Sequence, residues 1–411
     1  MAVASRTITA PRSLLVAQYA IKVLRILLAS EAGICRLFDP NSYDASTSTS
    51  IGVRYLRSSA TGFVRHDLVS THSEVSVSIK PDLFGMDKQR VLLLGATGET
   101  GSSILKGLLD FGKFEVEALV RPSSAQKPDV KKLVEKGVQI RIADTSGPVD
   151  DLVPVLSGVD IFITAISGTS QLAQINIATA AKKAGVKRFV PCCFATICPP
   201  GGVMALRDDK EEVNNHIKKL FLPYTFIDIG FWYQFSIPIL PSGRTDYAVP
   251  PGGTNSIHGD GEAPNLLTDL RDIGKFVAHI VDDKRTLNKS VFGWGDLLTE
   301  NQIYSLLEEL SGEKLDRQIV SIKDIEAEVA QATELITKEP DNVQNFIMMY
   351  SAQYNYSKYV RQDNTPEYAR YLGYLDAREL YPDFTPKSFR DFLVELLDGK
   401  MVRPYSSRGY A

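Results

Sequence analysis

Three glycines stand at spacings that suit the binding of a dinucleotide. Gly95, Gly98 and Gly101 directly follow the short apolar run 91–94, and an amphipathic stretch, 102–111, comes next. In this order the first glycine permits a tight turn, the second lets the backbone approach a pyrophosphate, and the third lets the helix pack against the strand. The free N–H groups at the start of that helix would bind the phosphates.

The next predicted strand, 114–120, ends at Arg121. In NAD sites an acidic residue near this strand end holds the ribose hydroxyls, whereas an arginine suits a 2′-phosphate. Arg121 therefore favours NADP(H), and a solvated arginine is the alternative interpretation. The other predicted cofactor contacts lie in the glycine turn or near later strand ends: Thr97, Thr100, Asp144, Ala165 and Cys192.

Lys210 has a position that suits acid–base catalysis. It lies three residues before Val213, the first member of the apolar stripe of a helix predicted over 208–220. A lysine on this stripe points inward toward the strand ends, where an amine that loses its hydration can exchange a proton with a substrate. The alternative is a lysine that extends along apolar surface to reach solvent. His216 is off the stripe and is predicted to lie at the surface.

One tyrosine–lysine pair has the spacing used by tyrosine-dependent short-chain dehydrogenases. Tyr354 and Lys358 form the only Tyr-x-x-x-Lys match in the chain. Those enzymes carry the motif on the helix after the fifth strand, and this pair comes far too late. We therefore interpret its spacing as chance.

These residues need a scaffold in which strands and helices alternate. Further strands are predicted over 138–143, 159–166, 188–191 and 224–229, with a helix over 172–184 that ends at Gly185. The pattern predicts an α/β fold of the Rossmann type, a doubly wound parallel sheet whose ligand lies at the carboxyl ends of its strands. The predicted domains are a cofactor-binding domain over 86–230 and a smaller mixed α/β substrate-binding cap over 231–411, which also returns segments to the sheet.

The predicted substrate pocket combines aromatic residues with one cysteine. Phe231 and Trp232 follow the sixth strand, and Cys193 and Phe194 follow the fifth. An aromatic wall suits an aromatic or polycyclic substrate, although each of these rings can equally be part of the core. Residues 238–264 are predicted to form a loop or lid, 346–384 a small helical cap, and 388–397 a final amphipathic helix.

Residues 1–85 differ from the rest of the chain. They contain Ser- and Thr-rich tracts, and Arg6 and Arg12 are among the basic residues that precede the first acidic one, Glu31. This pattern is compatible with a mitochondrial transit peptide. The alternatives are a poorly ordered extension or upstream sequence joined in error, since Met86 would be an ordinary start for a protein that opens with a strand.

Composition limits the function classes. The 46 Lys and Arg residues nearly balance the 49 Asp and Glu residues, which gives no electrostatic case for nucleic acid or an anionic membrane. Four cysteines are too few for a secreted disulfide scaffold, and none has the spacing of a metal site. We expect a cytoplasmic protein, or a mitochondrial one if residues 1–85 direct it there. The expected partner is a small-molecule substrate, with a homodimer left open.

Beyond these patterns, the chain resembles the isoflavone reductase and phenylcoumaran benzylic ether reductase family, within the NmrA-like atypical short-chain dehydrogenases. The resemblance covers about 88–400, and the closer likeness is to fungal relatives. Its residues are the glycine turn 95–101, Arg121, the run 184–191, Lys210 with 222–225, Gly259 to Gly261, 272–274, 281–283 and 287–289.

The resemblance implies NADPH as cofactor and Lys210 as the acid–base residue. It also implies that Gly95, Gly98 and Gly101 hold the pyrophosphate and Arg121 the 2′-phosphate. The family commonly follows Phe-Val-Pro with Ser-Glu-Phe-Gly, whereas Pro191 is followed here by Cys192, Cys193, Phe194 and Ala195. Because the site wall differs, plant phenylpropanoid substrates do not carry over.

Two functions follow as hypotheses. The first is an NADPH-dependent reductase of secondary metabolism, which transfers hydride to a carbonyl, conjugated double bond or benzylic ether of an aromatic or polyketide-like substrate. The second is a non-catalytic NmrA-like regulator that senses the nucleotide and binds a protein.

Overall fold

The computed structural model describes residues 88–250 and 253–406. The predicted extension over 1–85 lies outside the described residues.

The central sheet is parallel and has the predicted doubly wound topology. Its first five strands lie in the order β3-β2-β1-β4-β5. Their bounds are β1 Gln89–Leu94, β2 Phe114–Val120, β3 Gln139–Ile142, β4 Ile161–Thr164 and β5 Arg188–Val190. The order in which the strands were added reverses between β1 and β4, and folds of this type bind ligands in the crevice at that point.

Helices cover both faces of this sheet, which explains why the four buried residues of β1, from Val91 to Leu94, are all apolar. Val91 and Leu93 pack into one buried cluster, while Leu92 and Leu94 pack into another on the opposite face. A strand buried on both faces has no polar alternation. The helices are α1 Glu99–Phe111, α2 Pro128–Glu135, α3 Val149–Val155, α4 Gln174–Lys183, α5 Ala205–Lys219 and α6 Ile273–Asp282.

The sheet continues into the second half of the chain. An isolated bridge joins Phe189 of β5 to Tyr224, next to β6 Thr225–Asp228. Parallel pairing then extends through β10 Lys289–Phe292 to β13 Leu375–Asp376. The predicted cap segment 346–384 therefore also supplies an edge strand.

The smaller part is mixed α/β. Two small sheets have the orders β11-β9-β7 and β12-β8. Strand residues Ile257 and Leu267 share one buried cluster with two helices, α7 Glu300–Ser311 and α12 Phe389–Leu397. The strands are β7 Phe231–Trp232, β8 Ser256–His258, β9 Asn265–Thr268, β11 Asp296–Leu298 and β12 Gln318–Val320. The remaining helices are α7 Glu300–Ser311, α8 Ile322–Lys338, α9 Val343–Asn355, α10 Pro366–Tyr371, α11 Ala377–Leu380 and α12 Phe389–Leu397.

Two predicted helix starts are displaced, each for a local reason. The helix predicted from 172 begins at Gln174, because a 3₁₀ turn, Gly168–Ala173, precedes it. The helix predicted from 208 begins at Ala205, whose backbone N–H donates to Gln353 Oε1 at 2.9 Å. A distant glutamine thus satisfies one of the N–H groups that a helix start leaves unpaired. Within the described part of the chain, no helix is long and apolar enough to cross a membrane.

Candidate active site

The glycine turn has the close contacts that its spacing predicts. Gly95 has a φ of +90°, and a side chain there would collide with the carbonyl oxygen of Ala165 at the end of β4. A side chain at Gly101 would collide with the carbonyl oxygen of Gly95. The Gly98 N–H donates to the Gly95 carbonyl at 2.9 Å and closes the turn. The backbone of three segments therefore converges where only glycine fits.

The start of α1 offers backbone donors. Gly98 is its N-cap residue and supplies no side-chain cap, so the first-turn N–H groups have no side-chain acceptor at that position. Thr97 is exposed and Thr100 half-buried beside them. The Glu99 carboxylate accepts the backbone N–H of Tyr405 at 2.8 Å. A C-terminal residue that the sequence did not single out therefore lies against the predicted cofactor turn.

Arg121 and Asp144 lie near each other at neighbouring strand ends. Hydrogen bonds from the Ser146 backbone and hydroxyl lower the pKa of Asp144, and the positive charge of Arg121 contributes further. Arg121 itself is exposed. A cation is thus held at the carboxyl end of β2, where a 2′-phosphate would be bound.

Lys210 is buried, with 4 % of its surface exposed. Its Nζ donates to the carbonyl oxygen of Cys192 at 2.6 Å and to Gln171 Oε1 at 3.3 Å. The first acceptor lies just beyond β5 and the second in the 3₁₀ turn beyond β4. Since an ammonium has three donors, one is left over after these two hydrogen bonds.

Two glutamines that the sequence analysis missed position this lysine. Gln174 Oε1 accepts from Thr164 Oγ1 at 2.6 Å and from the Cys192 N–H at 2.8 Å, and Gln174 Nε2 donates to Gln171 Oε1 at 3.0 Å. This series of hydrogen bonds links β4, α4 and β5 to Lys210. Gln171 in the 3₁₀ turn, Gln174 at the start of α4 and Ala178 are all buried and follow one another at spacings of three and four, the same signal that identified Lys210.

The two cysteines belong to different faces of the sheet. Cys192 packs into the cluster that contains Val91, whereas Cys193 packs into the opposite one with Val213 and Ile217 of α5. Burial raises the pKa of the Cys193 thiol to about 12, and its Sγ lies 3.6 Å from Asn214 Oδ1. The structure does not bring Cys193 to the aromatic wall, and a protonated thiol is a poor nucleophile.

Phe194 follows in a strained conformation. Its φ is +30°, in the left-handed region that side chains other than glycine rarely adopt, and its N–H donates to the Ile227 carbonyl at 2.7 Å. The phenyl group is buried among the residues under α1 and α6. The altered segment after Pro191 is therefore tied to β6.

The aromatic wall is larger than predicted. Trp232 stacks on Phe235 at 5.4 Å and on Tyr405 at 6.2 Å between ring centroids. Phe231 lies 6.0 Å from the Tyr354 ring of α9. The wall thus combines residues that follow β6 with two residues from distant segments.

Tyr354 and Lys358 meet at Phe231. Burial raises the pKa of Tyr354, which opposes a role as general base. Lys358 Nζ lies 3.6 Å over the Phe231 ring.

His216 is half-buried and pairs through Nε2 with Thr179 Oγ1 at 2.9 Å.

A surface groove of about 650 Å³ lies elsewhere. It is lined by Phe111, Lys113, His279, Asp282, Asp283, Lys284, Arg285 and Tyr381. Phe111 and Asp282 end α1 and α6, which run back from the carboxyl edge of the sheet. The groove is therefore remote from Lys210 and does not belong to the candidate site.

Comparisons with known proteins identify the family of this chain. The chain matches the NmrA-like family over residues 87–393. It is 42 % identical to asnovolin J 5′,6′-dehydrogenase from Aspergillus novofumigatus over 316 residues, which cover 76 % of this chain and 97 % of the relative. It is 28 % identical to a phenylcoumaran benzylic ether reductase from Ginkgo biloba over 325 residues, which cover 76 % of this chain and all of that protein.

Solved structures show the same fold. Leucoanthocyanidin reductase from Vitis vinifera, in a binary complex with NADPH, superposes with a TM-score of 0.63 at 24 % identity, over 75 % of this chain and 99 % of the other. AtPrR2 with NADP+ and (+)-pinoresinol gives 0.60 at 25 % identity, over 75 % and 98 %. The predicted resemblance is confirmed, and the matched relatives are enzymes, which disfavours the regulator hypothesis. The chain belongs to the NmrA-like family and is an isoflavone reductase-like oxidoreductase.

Proposed function

We propose that this protein is an NADP(H)-dependent oxidoreductase that uses Lys210 for acid–base catalysis on a small, aromatic or polyketide-like molecule. The observation that carries the proposal is the buried Lys210 side chain, held by hydrogen bonds just beyond the carboxyl ends of β4 and β5. The reducible group would be a carbonyl, a conjugated double bond or a benzylic ether. The fungal relative and the plant reductases support a role in secondary metabolism.

The residues at the carboxyl edge of the sheet fit NADPH. A pyrophosphate would lie against the turn formed by Gly95, Gly98 and Gly101, where Thr97, Thr100 and the first N–H groups of α1 would contact it. Arg121 would pair with the 2′-phosphate beside Asp144, while Ala165 and Cys192 would lie along the nicotinamide half. When bound, NADPH supplies the hydride.

Lys210 supplies the proton that balances this chemistry. When a carbonyl is reduced, hydride adds to carbon and the Nζ–H bond of Lys210 breaks as a new O–H bond forms on the substrate. Water then returns a proton to the amine. In the reverse direction the amine accepts the proton from the substrate hydroxyl. Gln171 and the Cys192 carbonyl fix the nitrogen during both steps.

The direction of the reaction is open to assay. The plant relatives are named reductases, whereas the 42 % identical fungal relative is named a dehydrogenase. The wall of Phe231, Trp232 and Phe235 supports an aromatic or polycyclic substrate in either case. Turnover should therefore be followed with NADPH and with NADP+.

The test combines cofactor binding with turnover by a matched pair of variants. We expect calorimetry on the full chain to show tighter binding of NADPH than of NADH, and Arg121→Ala to reduce that preference at least tenfold. On a panel of aromatic ketones, enones and alcohols, Lys210→Met should abolish turnover while the NADPH Kd stays unchanged. The control is Lys219→Met, because Lys219 is exposed on the last turn of the same helix. Wild-type turnover by Lys210→Met would refute the assignment, and equal affinity for NADPH and NADH would refute the role of Arg121.

A further inference from the structure

Lys358 is a second buried lysine near the aromatic wall. It lies in a single π-helical turn, Tyr356–Val360, at the end of α9, and 3 % of its surface is exposed. Its Nζ lies 3.6 Å over the Phe231 ring and 4.6 Å over the Tyr359 ring. Turns of this kind occur often at functional sites, because the inserted residue redirects a side chain.

The hydrogen bonds of this ammonium are incomplete. Of its three donors, one reaches Tyr359 Oη at 3.3 Å. Among the described residues it has no other hydrogen-bond acceptor and no carboxylate within 4.0 Å. Glu300 is occupied by the backbone and ring of His258 and by the Tyr359 hydroxyl. Its negative charge acts on Lys358 through space, where it raises the pKa and partly offsets the effect of burial, but the two side chains form no ion pair.

A purely structural role accounts poorly for this arrangement. A buried charge is disfavoured unless it is paired and hydrogen-bonded, and π faces compensate only in part. Burial accordingly lowers the pKa of Lys358 to about 8. A methionine would fill the same space without the charge. A group that binds the Lys358 ammonium during function would explain why a charged side chain occupies this position.

The location connects Lys358 with the proposed active site. Phe231 stands just after the carboxyl end of β6, and Tyr354 of α9 packs against it. The residue before Tyr354, Gln353, caps the start of α5, the helix that carries Lys210. A hydrogen bond from Ala205 to Gln353 thus joins the segment that contains Lys358 to α5.

We propose that Lys358 determines substrate specificity by binding an anionic oxygen of the substrate, such as a carboxylate, beside the Phe231 ring. The inference rests on the proposed function, because it assigns a substrate group to that same site. An anionic oxygen would accept the two unused N–H donors while an adjoining apolar ring packs against Phe231. Lys358 is a binding residue in this scheme, and Lys210 remains the acid–base residue.

The test compares an acid with its ester. trans-Cinnamate and methyl cinnamate have the same ring and differ in charge, so calorimetry on the full chain saturated with NADP+ measures the effect of the carboxylate. We expect wild type to bind cinnamate at least tenfold tighter than the ester, Lys358→Met to lose that preference, and Lys358→Arg to keep part of it. Lys314→Met, at a side chain with 93 % exposure, is the matched control.

The outcomes separate the two proposals. Equal or undetectable binding of both probes by wild type, or an unchanged acid preference in Lys358→Met, would overturn the role of Lys358. Failure of wild type to bind NADP+ would instead contradict the proposed function. A thermal melt of each variant shows whether it is folded. Should Lys358→Met not fold, the wild-type preference and its retention in Lys358→Arg still decide the question.

Discussion

Replacing Lys358 by methionine should make the protein more stable at neutral pH. Burial lowers the pKa of Lys358 from 10.5 to about 8. Because the folded state binds this proton more weakly than the unfolded chain does, the charge lowers the free energy of unfolding by about 3 kcal/mol at pH 7. Methionine has a similar length and no charge. Loss of the cation–π contact with Phe231 opposes the gain by about 1 kcal/mol, so we expect a net stabilisation of about 2 kcal/mol.

The stabilisation should depend on pH with a definite sign. The penalty is fully present below pH 8 and decreases as the pH rises from 8 toward 10.5, where the unfolded chain also loses the proton. At pH 10 it amounts to about 1 kcal/mol, similar to the lost cation–π contact. Wild type and Lys358→Met should therefore approach equal stability at pH 10.

The assay is urea unfolding at pH 7 and pH 10, without nucleotide, with thermal melts as a second measure. Lys314→Met serves as control, because its side chain is 93 % exposed and has no desolvation penalty to relieve. A Lys358→Met protein that is less stable than wild type at pH 7 would refute the reasoning. A stability difference that is the same at both pH values would show that the buried charge is not its cause.

Three further predictions concern other parts of the site. Gln171→Leu removes one acceptor of the Lys210 ammonium, so kcat should fall about tenfold or more while calorimetry shows an unchanged NADPH Kd; an unchanged kcat would contradict the positioning role. The Arg207 guanidinium is buried and pairs with the Asp228 carboxylate at 2.9 Å. Asp228→Ala removes that carboxylate, so urea unfolding should show a loss of about 3–5 kcal/mol in the free energy of unfolding. The double variant Arg207→Met with Asp228→Leu should recover much of that loss. Gly101→Ala places a methyl group against the Gly95 carbonyl, so the NADPH Kd should rise at least tenfold; Ser102→Ala at the next, exposed position is the control, and equal effects of the two would argue against the steric explanation.

The first half of the fold could be predicted because its signals are local. Strand β2 spans 114–120 in the structure, as the apolar pattern indicates. The glycine turn is likewise determined by neighbours, since Gly95 and Gly101 touch each other and the end of β4. A parallel strand buried on both faces must be apolar, so the sequence carries the signal directly.

The remaining features depend on contacts between distant residues. Gln353 caps α5 from 148 positions away, and Tyr405 donates to Glu99 across 306 positions. No periodicity or spacing indicates either pair. The same holds for β13, whose two residues become a strand only because β10 offers an edge.

The Tyr354–Lys358 spacing shows where position along the chain stops being informative. Lateness in the sequence argued correctly against the helix that follows the fifth strand. It could not reveal that α9 folds back onto the start of α5 and that both side chains meet Phe231. Those contacts depend on the packing of the cap segment.

The acceptors of Lys210 bear on its proposed role in either direction of the reaction. Both are neutral, a backbone carbonyl and a side-chain amide, and no carboxylate lies within 4.0 Å of Nζ among the described residues. A carboxylate would stabilise the charged amine strongly and oppose loss of its proton. Neutral oxygens orient the nitrogen without placing a negative charge beside it. We therefore propose that Lys210 gives a proton to a substrate oxygen during reduction and accepts one during dehydrogenation. The plant relatives are named reductases and the fungal relative a dehydrogenase.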